Sequence, residues 1–106
     1  MTRPPTEYHQ LRGFQRDCLL AIARLETRDN SPYGLAIKRE CQSIRDEEVT
    51  HTKLYPNLDE LAAQQLITKQ ELDARTNTYT LTDAGRSLLT THAQSLDTIL
   101  TQEATA

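Results

Sequence analysis

The chain has little of several residue types, and each shortage excludes a class of protein. Its 106 residues include three glycines and two cysteines, and tryptophan is absent. No glycine-rich phosphate loop occurs and no nucleophile stands beside a plausible base, so the sequence gives no support for an enzyme. Two cysteines are too few for a disulfide scaffold, which favours a reduced, cytoplasmic protein.

Long apolar runs and excess positive charge are also missing. The longest apolar cluster, CLLAIARL, is broken by arginine, so we predict no membrane span, and MTRPPTEYHQ at the N-terminus lacks the apolar region of a signal peptide. The formal net charge of −3 argues against a uniformly basic nucleic-acid coat but permits a basic face on an acidic body. Because His9, His51 and His92 have no cysteine or carboxylate at metal spacing, we predict no metal and no cofactor.

The length predicts one small domain. Its first segment is polar. Residues 1 to 12 contain the adjacent Pro4 and Pro5 and are predicted to form a flexible N-terminal arm. From Gly13 to about Arg28 the apolar spacing changes to that of an amphipathic helix, helix one. Its apolar residues recur at intervals of three and four: Phe14, Cys18, Ala21, Ile22 and Leu25.

Helix two follows the turn sequence RDNS. Ser31 is a suitable cap and Pro32 suits a first helical turn, so we predict that this helix starts there and runs to about Ser43. Its predicted apolar stripe is Gly34, Leu35, Ile37, Cys41 and Ile44, with Lys38, Arg39 and Glu40 on the solvent side.

Both cysteines fall on apolar stripes. Cys18 lies in helix one and Cys41 in helix two, which we expect to pack together. Free cysteines on such faces are most often small core residues, and this is the interpretation we favour. A redox switch is the alternative.

Helix three contains the segment VTHTKLYPNLDEL, residues 49 to 61. Leu54, Leu58 and Leu61 share one helical face, although Pro56 stands between the first two. With Thr52 as N-cap the proline lies near the free amides, whereas with Thr50 as N-cap it lies deeper and the first turn bends. In either case the start of the helix displays side chains with hydrogen-bond donors, namely Thr50, His51, Thr52, Lys53 and Tyr55.

After helix three the period changes from helical to two. Residues 66 to 82 are predicted to form a β-hairpin, with Asn77 as a turn residue and Arg75 at the tip. Thr82 and Asp83 then begin a last helix whose apolar stripe has no further chain to cover it. We therefore expect it to pack on helix one and on a second copy of itself, through Leu88, His92, Leu96, Ile99 and Leu100.

The predicted element order is three helices, a hairpin and a long last helix. This is the order of a winged helix-turn-helix with an added dimerisation helix, and its fold class is α+β, mostly α. We expect residues 13 to 82 to form the DNA-binding domain and residues 83 to 106 the dimerisation helix. The segments GLAIKREC, KLYPNLDELAAQQLI and YTLTDAGRSLL resemble the PadR family of transcriptional regulators, over roughly residues 14 to 92. The chain is most similar to the small PadR-like regulators of salt-loving archaea and their viruses.

The resemblance implies a homodimer on double-stranded DNA, with helix three of each subunit in the major groove and the wing near the backbone or minor groove. It also implies that Pro56 belongs to a bent entry turn of the recognition helix. The wing turn DARTN is short, and one C-terminal helix stands where many members have several. The effector ligand is therefore left unknown.

These observations together predict a sequence-specific transcriptional regulator, a repressor that binds a two-fold symmetric operator. A winged-helix protein-interaction module of a transcription or replication complex is the alternative. For Tyr55 we favour core packing with a hydrogen-bonded tip over a phosphate contact. The predicted major-groove residues are Thr50, His51, Thr52 and Lys53, the wing contacts Arg75 and Asn77 with Lys69 as a further candidate, and Arg16 and Arg39 are either phosphate contacts or solvated charges.

Overall fold

The computed structural model of the chain describes residues 7 to 105, without the side chains of residues 103 to 105. The order of elements is that of the predicted winged helix-turn-helix. A short 3-10 helix, Tyr8–Gln10, precedes α1 (Gly13–Thr27), α2 (Gly34–Arg45), α3 (His51–Ala63), β1 (Ile67–Glu71), β2 (Asn77–Leu81) and α4 (Asp83–Thr105).

A single core surrounds α1, which contacts α2, α3, α4 and β2. The predicted stripe of α1 is buried, and so are Leu54, Leu58 and Leu61 of α3. Burying a leucine side chain contributes about 1.5–3 kcal/mol, so these three residues fix the inward face of α3.

The start of α2 differs from the prediction, because Ser31 and Pro32 do not begin the helix. The amide of Tyr79 donates to the Pro32 carbonyl at 2.9 Å, and Tyr33 forms an antiparallel bridge with Thr78. The backbone before α2 is thus extended alongside β2, and α2 begins at Gly34 after Tyr33 as N-cap. Pairing with a distant strand outweighs the local capping signal.

Two side chains of α2 also differ from the prediction. Leu35 is 41% exposed rather than part of the apolar stripe. Glu40, expected in solvent, keeps 13% of its side chain exposed because it binds Arg24 at 3.3 Å and also Arg28. The end of α1 therefore holds α2 by charge as well as by apolar packing.

The two cysteines meet where α1 packs on α2. Their Sγ atoms are 4.0 Å apart, and both residues are fully buried free thiols. The hydrogen bond shared with Cys41 and burial raise the pKa of the Cys18 thiol, whereas the same bond lowers the pKa of Cys41. A thiol that keeps its proton in an apolar site is a poor nucleophile, which agrees with a packing role for Cys18.

Of the two caps considered for α3, Thr50 is the one that forms. Its Oγ1 accepts a hydrogen bond from the Lys53 amide at 3.2 Å. Pro56 therefore lies inside α3 and removes the hydrogen bond that would reach the Thr52 carbonyl. Because Thr52 is in the exposed first turn, water can satisfy this carbonyl.

The hairpin and the start of α4 agree with the prediction except at Asn77. Strands β1 and β2 pair antiparallel, from Ile67 opposite Leu81 to Glu71 opposite Asn77. Asn77 is thus the first residue of β2, and the turn consists of residues 72 to 76, with Arg75 within it. Thr82 accepts a hydrogen bond from the Gly85 amide at 3.1 Å and so caps α4.

Part of the predicted flexible arm lies against the domain. Residues 1 to 6 are outside the described residues, but Leu11 is 4% exposed and belongs to the core. The ring of Tyr8 stacks on His92 of α4, with ring centroids 4.0 Å apart. The side chains of Leu11 and Tyr8 thus help to dock residues 8 to 11 on the domain.

The two halves of α4 have different surroundings. Leu88 and Leu89 pack against the core. Leu96, Ile99 and Leu100 lie beyond it and are 48%, 51% and 62% exposed. Within residues 7 to 105, no helix combines the length and the apolar character needed to cross a membrane.

Gly85 gives a test of how α4 is docked. A Cβ at this position would overlap the backbone carbonyl oxygen of Leu66, whereas a Cβ on Gly13 would meet no atom within 4 Å. We expect Gly85→Ala to lower the free energy of unfolding by about 1–3 kcal/mol, because backbone must move to relieve the overlap. Gly13→Ala, the matched control, should be neutral or slightly stabilising. Urea unfolding of both variants checks this, and equal stabilities would contradict the close approach.

Candidate nucleic-acid interface

One flank of α3 is held by the beginning of α1. The contacts come from three residues of α3 that are one helical turn apart, so they lie in a line along this flank. They are Lys53 Nζ over the Phe14 ring, 4.7 Å from its centroid; Gln15 Nε2 donating to Asn57 Oδ1 at 3.2 Å; and the ion pair of Arg12 with Glu60 at 3.7 Å.

The opposite flank of α3 is held by α2 and the hairpin. The Tyr55 ring lies against Gly34 at the start of α2, so closely that a Cβ there would overlap it. Further along, Asp59 accepts a hydrogen bond from Lys69 Nζ of β1 at 3.3 Å. With its leucines buried and both flanks braced, α3 turns its remaining face to solvent.

The exposed face begins at the N-terminal turn of α3. His51, Thr52 and Lys53 are all exposed there, next to the cap residue Thr50. The Thr50 hydroxyl accepts the Lys53 amide, so it fixes the turn. These four residues, predicted as the major-groove contacts, are therefore adjacent in space and exposed.

Tyr55 packs as favoured, although not with a bonded tip. Its side chain is half-buried against the core, and the His51 ring lies at 5.5 Å between centroids. Within residues 7 to 102 its hydroxyl has no hydrogen-bond partner from the protein. The hydroxyl therefore lies at the edge of the exposed face.

The wing presents Arg75 at its tip. The Asp73 carboxylate accepts a hydrogen bond from the Arg75 amide at 2.8 Å, which lowers the pKa of Asp73. This bond holds the turn and leaves the Arg75 guanidinium exposed. Asn77 is half-buried at the start of β2, and the ammonium of Lys69 is already bonded to Asp59.

Arg16 and Arg39 occupy different places. Arg16 donates to the carbonyls of Tyr8 and His9 at 3.1 and 2.8 Å, and its guanidinium lies 5.0 Å from the Tyr8 ring centroid. It thus holds the 3-10 helix and is not brought to the start of α3. Arg39 is exposed on α2.

Most cations of the described chain are paired, and the exceptions lie on α2, at the start of α3 and at the wing tip. Arg16 is bonded to carbonyls, and the cations bonded to carboxylates are Arg12, Arg24, Arg28, Arg45, Lys69 and Arg86. Those without a carboxylate partner among residues 7 to 102 are Lys38 and Arg39 of α2, Lys53 at the start of α3 and Arg75 at the wing tip. The unpaired positive charge therefore lies on the helix-turn-helix and the wing.

Sequence reasoning missed the network that positions the start of α3. Arg45 at the end of α2 bonds Asp17 at 2.7 Å and Glu47 at 2.6 Å, and the bond lowers the pKa of Glu47. Gln42 accepts a hydrogen bond from the Val49 amide at 3.1 Å. Asp17 and Arg45 are far apart in the chain, and no local pattern signals their pairing.

The predicted dimerisation residues divide into two groups. Leu88 packs on the core and His92 stacks on Tyr8, so both have partners within the chain. Leu96, Ile99 and Leu100 are the exposed group.

Comparison with known proteins agrees with this geometry. The profile of the transcriptional regulator PadR-like family matches residues 8–91. The chain belongs to the PadR-like family. It is similar to RosR of H. salinarum in a structure grown from NaBr, with 34% identity over 92% of this chain and 97% of that one and a TM-score of 0.70. The complex structure of hsRosR-S1 is also similar, with 34% identity, coverage of 91% and 94% and a TM-score of 0.71.

No match was found among curated protein sequences. The family and the RosR structures confirm the resemblance drawn from the sequence. The chain is a DNA-binding transcriptional regulator and not an enzyme.

The bond between Gln15 and Asn57 gives a test of how α3 is braced. Gln15 is 2% exposed, so Asn57→Ala leaves its amide nitrogen buried without this partner. We expect a loss of about 1–3 kcal/mol in the free energy of unfolding. Thr52→Ala, an exposed change on the same helix, should stay within about 0.5 kcal/mol. Similar values for both variants in urea unfolding would show that the buried bond does not brace the helix.

Proposed function

We propose that the protein is a homodimeric repressor that binds a two-fold symmetric operator. The N-terminal turn of α3 enters the major groove, and the wing lies along the backbone or minor groove. Residues 13 to 82 serve as the DNA-binding unit and α4 as the dimerisation helix.

The observation that carries this proposal is the distribution of unpaired cations. The chain has a net charge of −3, so its overall charge opposes binding to DNA. The paired cations are neutralised locally by carboxylates, whereas Lys53 and Arg75 are not. Contacts with phosphates supply most of the affinity in nonspecific DNA binding, and they need this kind of unpaired charge.

The proposed contacts have different roles. His51 and Thr52 are best placed to reach base edges, because they are exposed in the first turn of α3. The Lys53 ammonium lies over the Phe14 ring in the free protein. In the proposed complex it contacts a base or a phosphate. Thr50 mainly fixes the turn, and Tyr55 borders it. Arg75 is the main wing contact, with Asn77 and Arg39 as phosphate contacts.

The dimer contact is proposed for the second half of α4. Leu96, Ile99 and Leu100 are each close to half exposed or more, and a two-fold contact is the commonest way to cover such a face. A dimer of this kind holds two recognition helices about one DNA turn apart, roughly 34 Å, so half-site centres near 10 base pairs apart are expected. We also propose a cytoplasmic location and an archaeal source.

The role of the wing is tested with Arg75→Ala. A contact through charge should weaken binding similarly on operator and random duplexes, and the slope of log K against log salt should fall by about one unit. Electrophoretic shift assays across salt measure this, and Arg75→Lys, which keeps the charge, should retain the slope. An unchanged slope for Arg75→Ala would remove the wing from the interface.

The dimer is tested with the double variant Leu96→Asp/Ile99→Asp. Burying two carboxylates in each subunit at an apolar contact is costly, so we expect monomers and a large loss of operator affinity. Leu20→Asp is a suitable control, because Leu20 is 42% exposed on α1. Sedimentation velocity distinguishes the species. If the double variant remained dimeric, α4 would not be the interface and the half-site spacing would lose its basis.

A further inference from the structure

We infer that Lys38 of α2 is a phosphate contact of the same interface, beside the first turn of α3. This inference rests on the proposed function, because it assigns a further residue to the proposed DNA surface. Lys38 was expected only to face solvent, and no local motif in the sequence distinguishes it from other surface lysines.

Lys38 lies on α2 between two contacts that this helix makes with the segment at the start of α3. Gly34, Lys38 and Gln42 are four residues apart, so they lie along one face of the helix. Gly34 touches the Tyr55 ring of α3, and Gln42 binds the Val49 amide just before α3. Lys38 lies between these two contacts and is half-buried. The face of α2 that carries it is therefore the face turned toward the start of α3.

The positive charge of Lys38 is not neutralised within residues 7 to 102. Lys38 has no carboxylate partner among residues 7 to 102. Arg45 lies further along the same side of α2, but its guanidinium bonds Asp17 and Glu47. Lys38 is thus the cation on this face whose charge remains available to a ligand.

A phosphate is the kind of ligand that suits the Lys38 ammonium. A lysine ammonium is a compact charge on a flexible stem, which suits a phosphate oxygen better than bidentate bonding to a base. Arg39 is the next residue, so its side chain leaves α2 about 100° further round, away from the line between Gly34 and Gln42. Of the two unpaired cations of α2, Lys38 is therefore the one on the face turned toward the start of α3. A phosphate of the DNA backbone that borders the groove is the ligand that we infer for it.

The experiment compares Lys38→Gln with the wild-type protein in shift assays on operator and random duplexes, across salt. We expect a several-fold loss of affinity that is similar on both duplexes, and a salt slope lower by about one unit. Lys38→Arg should restore the slope. Lys38→Met keeps the apolar stem and should behave like Lys38→Gln, and thermal unfolding verifies that both variants fold.

Arg86→Gln is the matched control for net charge. It removes the same unit of charge, but Arg86 is bonded to Glu26 at 3.1 Å at the start of α4, away from the wing tip. Its salt slope should equal that of the wild type. If Lys38→Gln lost no more affinity than Arg86→Gln while the wild type bound DNA normally, the assignment of Lys38 would be wrong and the proposed function would stand. If the wild type bound no duplex DNA even at low salt, the proposed function would fail, and the assignment of Lys38 with it.

Discussion

Burial of one apolar stripe of α3 is the constraint on which the rest of the structure depends. Leu54, Leu58 and Leu61 are fully buried, which orients the helix about its long axis. The contacts on its two flanks then limit rotation in either direction. Because the inward face is fixed in this way, the opposite face of α3 is turned to solvent, and the Thr50 cap fixes the first turn beside it.

Charge pairing acts as a second constraint. It determines which cations of this acidic protein remain available to bind DNA, which is also negatively charged. Glu40, Glu26 and Asp59 neutralise arginines and a lysine that would otherwise spread positive charge over the surface. The cations that remain unpaired in the described chain lie on α2, at the start of α3 and at the wing tip. A net charge of −3 is therefore compatible with DNA binding, because the cations left unpaired in the described chain belong to the helix-turn-helix and the wing.

Predictions from the sequence succeeded where the signal was local. The stripes of α1 and α3, the hairpin and the cap of α4 depend on spacing within a few residues, and they formed as expected. The predictions failed where contact with a residue far along the chain outweighed the local signal. Tyr33 pairs with Thr78, so α2 starts later than Ser31 and Pro32 indicated.

The sequence by itself determined the order of the elements, the inward faces of α1 and α3, and the family. These follow from apolar periodicity, caps and motifs, which act over short distances along the chain. Only the tertiary structure decided which cations are free, that Lys38 lies beside the start of α3, and that the network of Asp17, Arg45 and Glu47 holds the link before it. The physical reason is that ion pairs and helix contacts depend on distances in space, which bring together residues that are far apart in the chain.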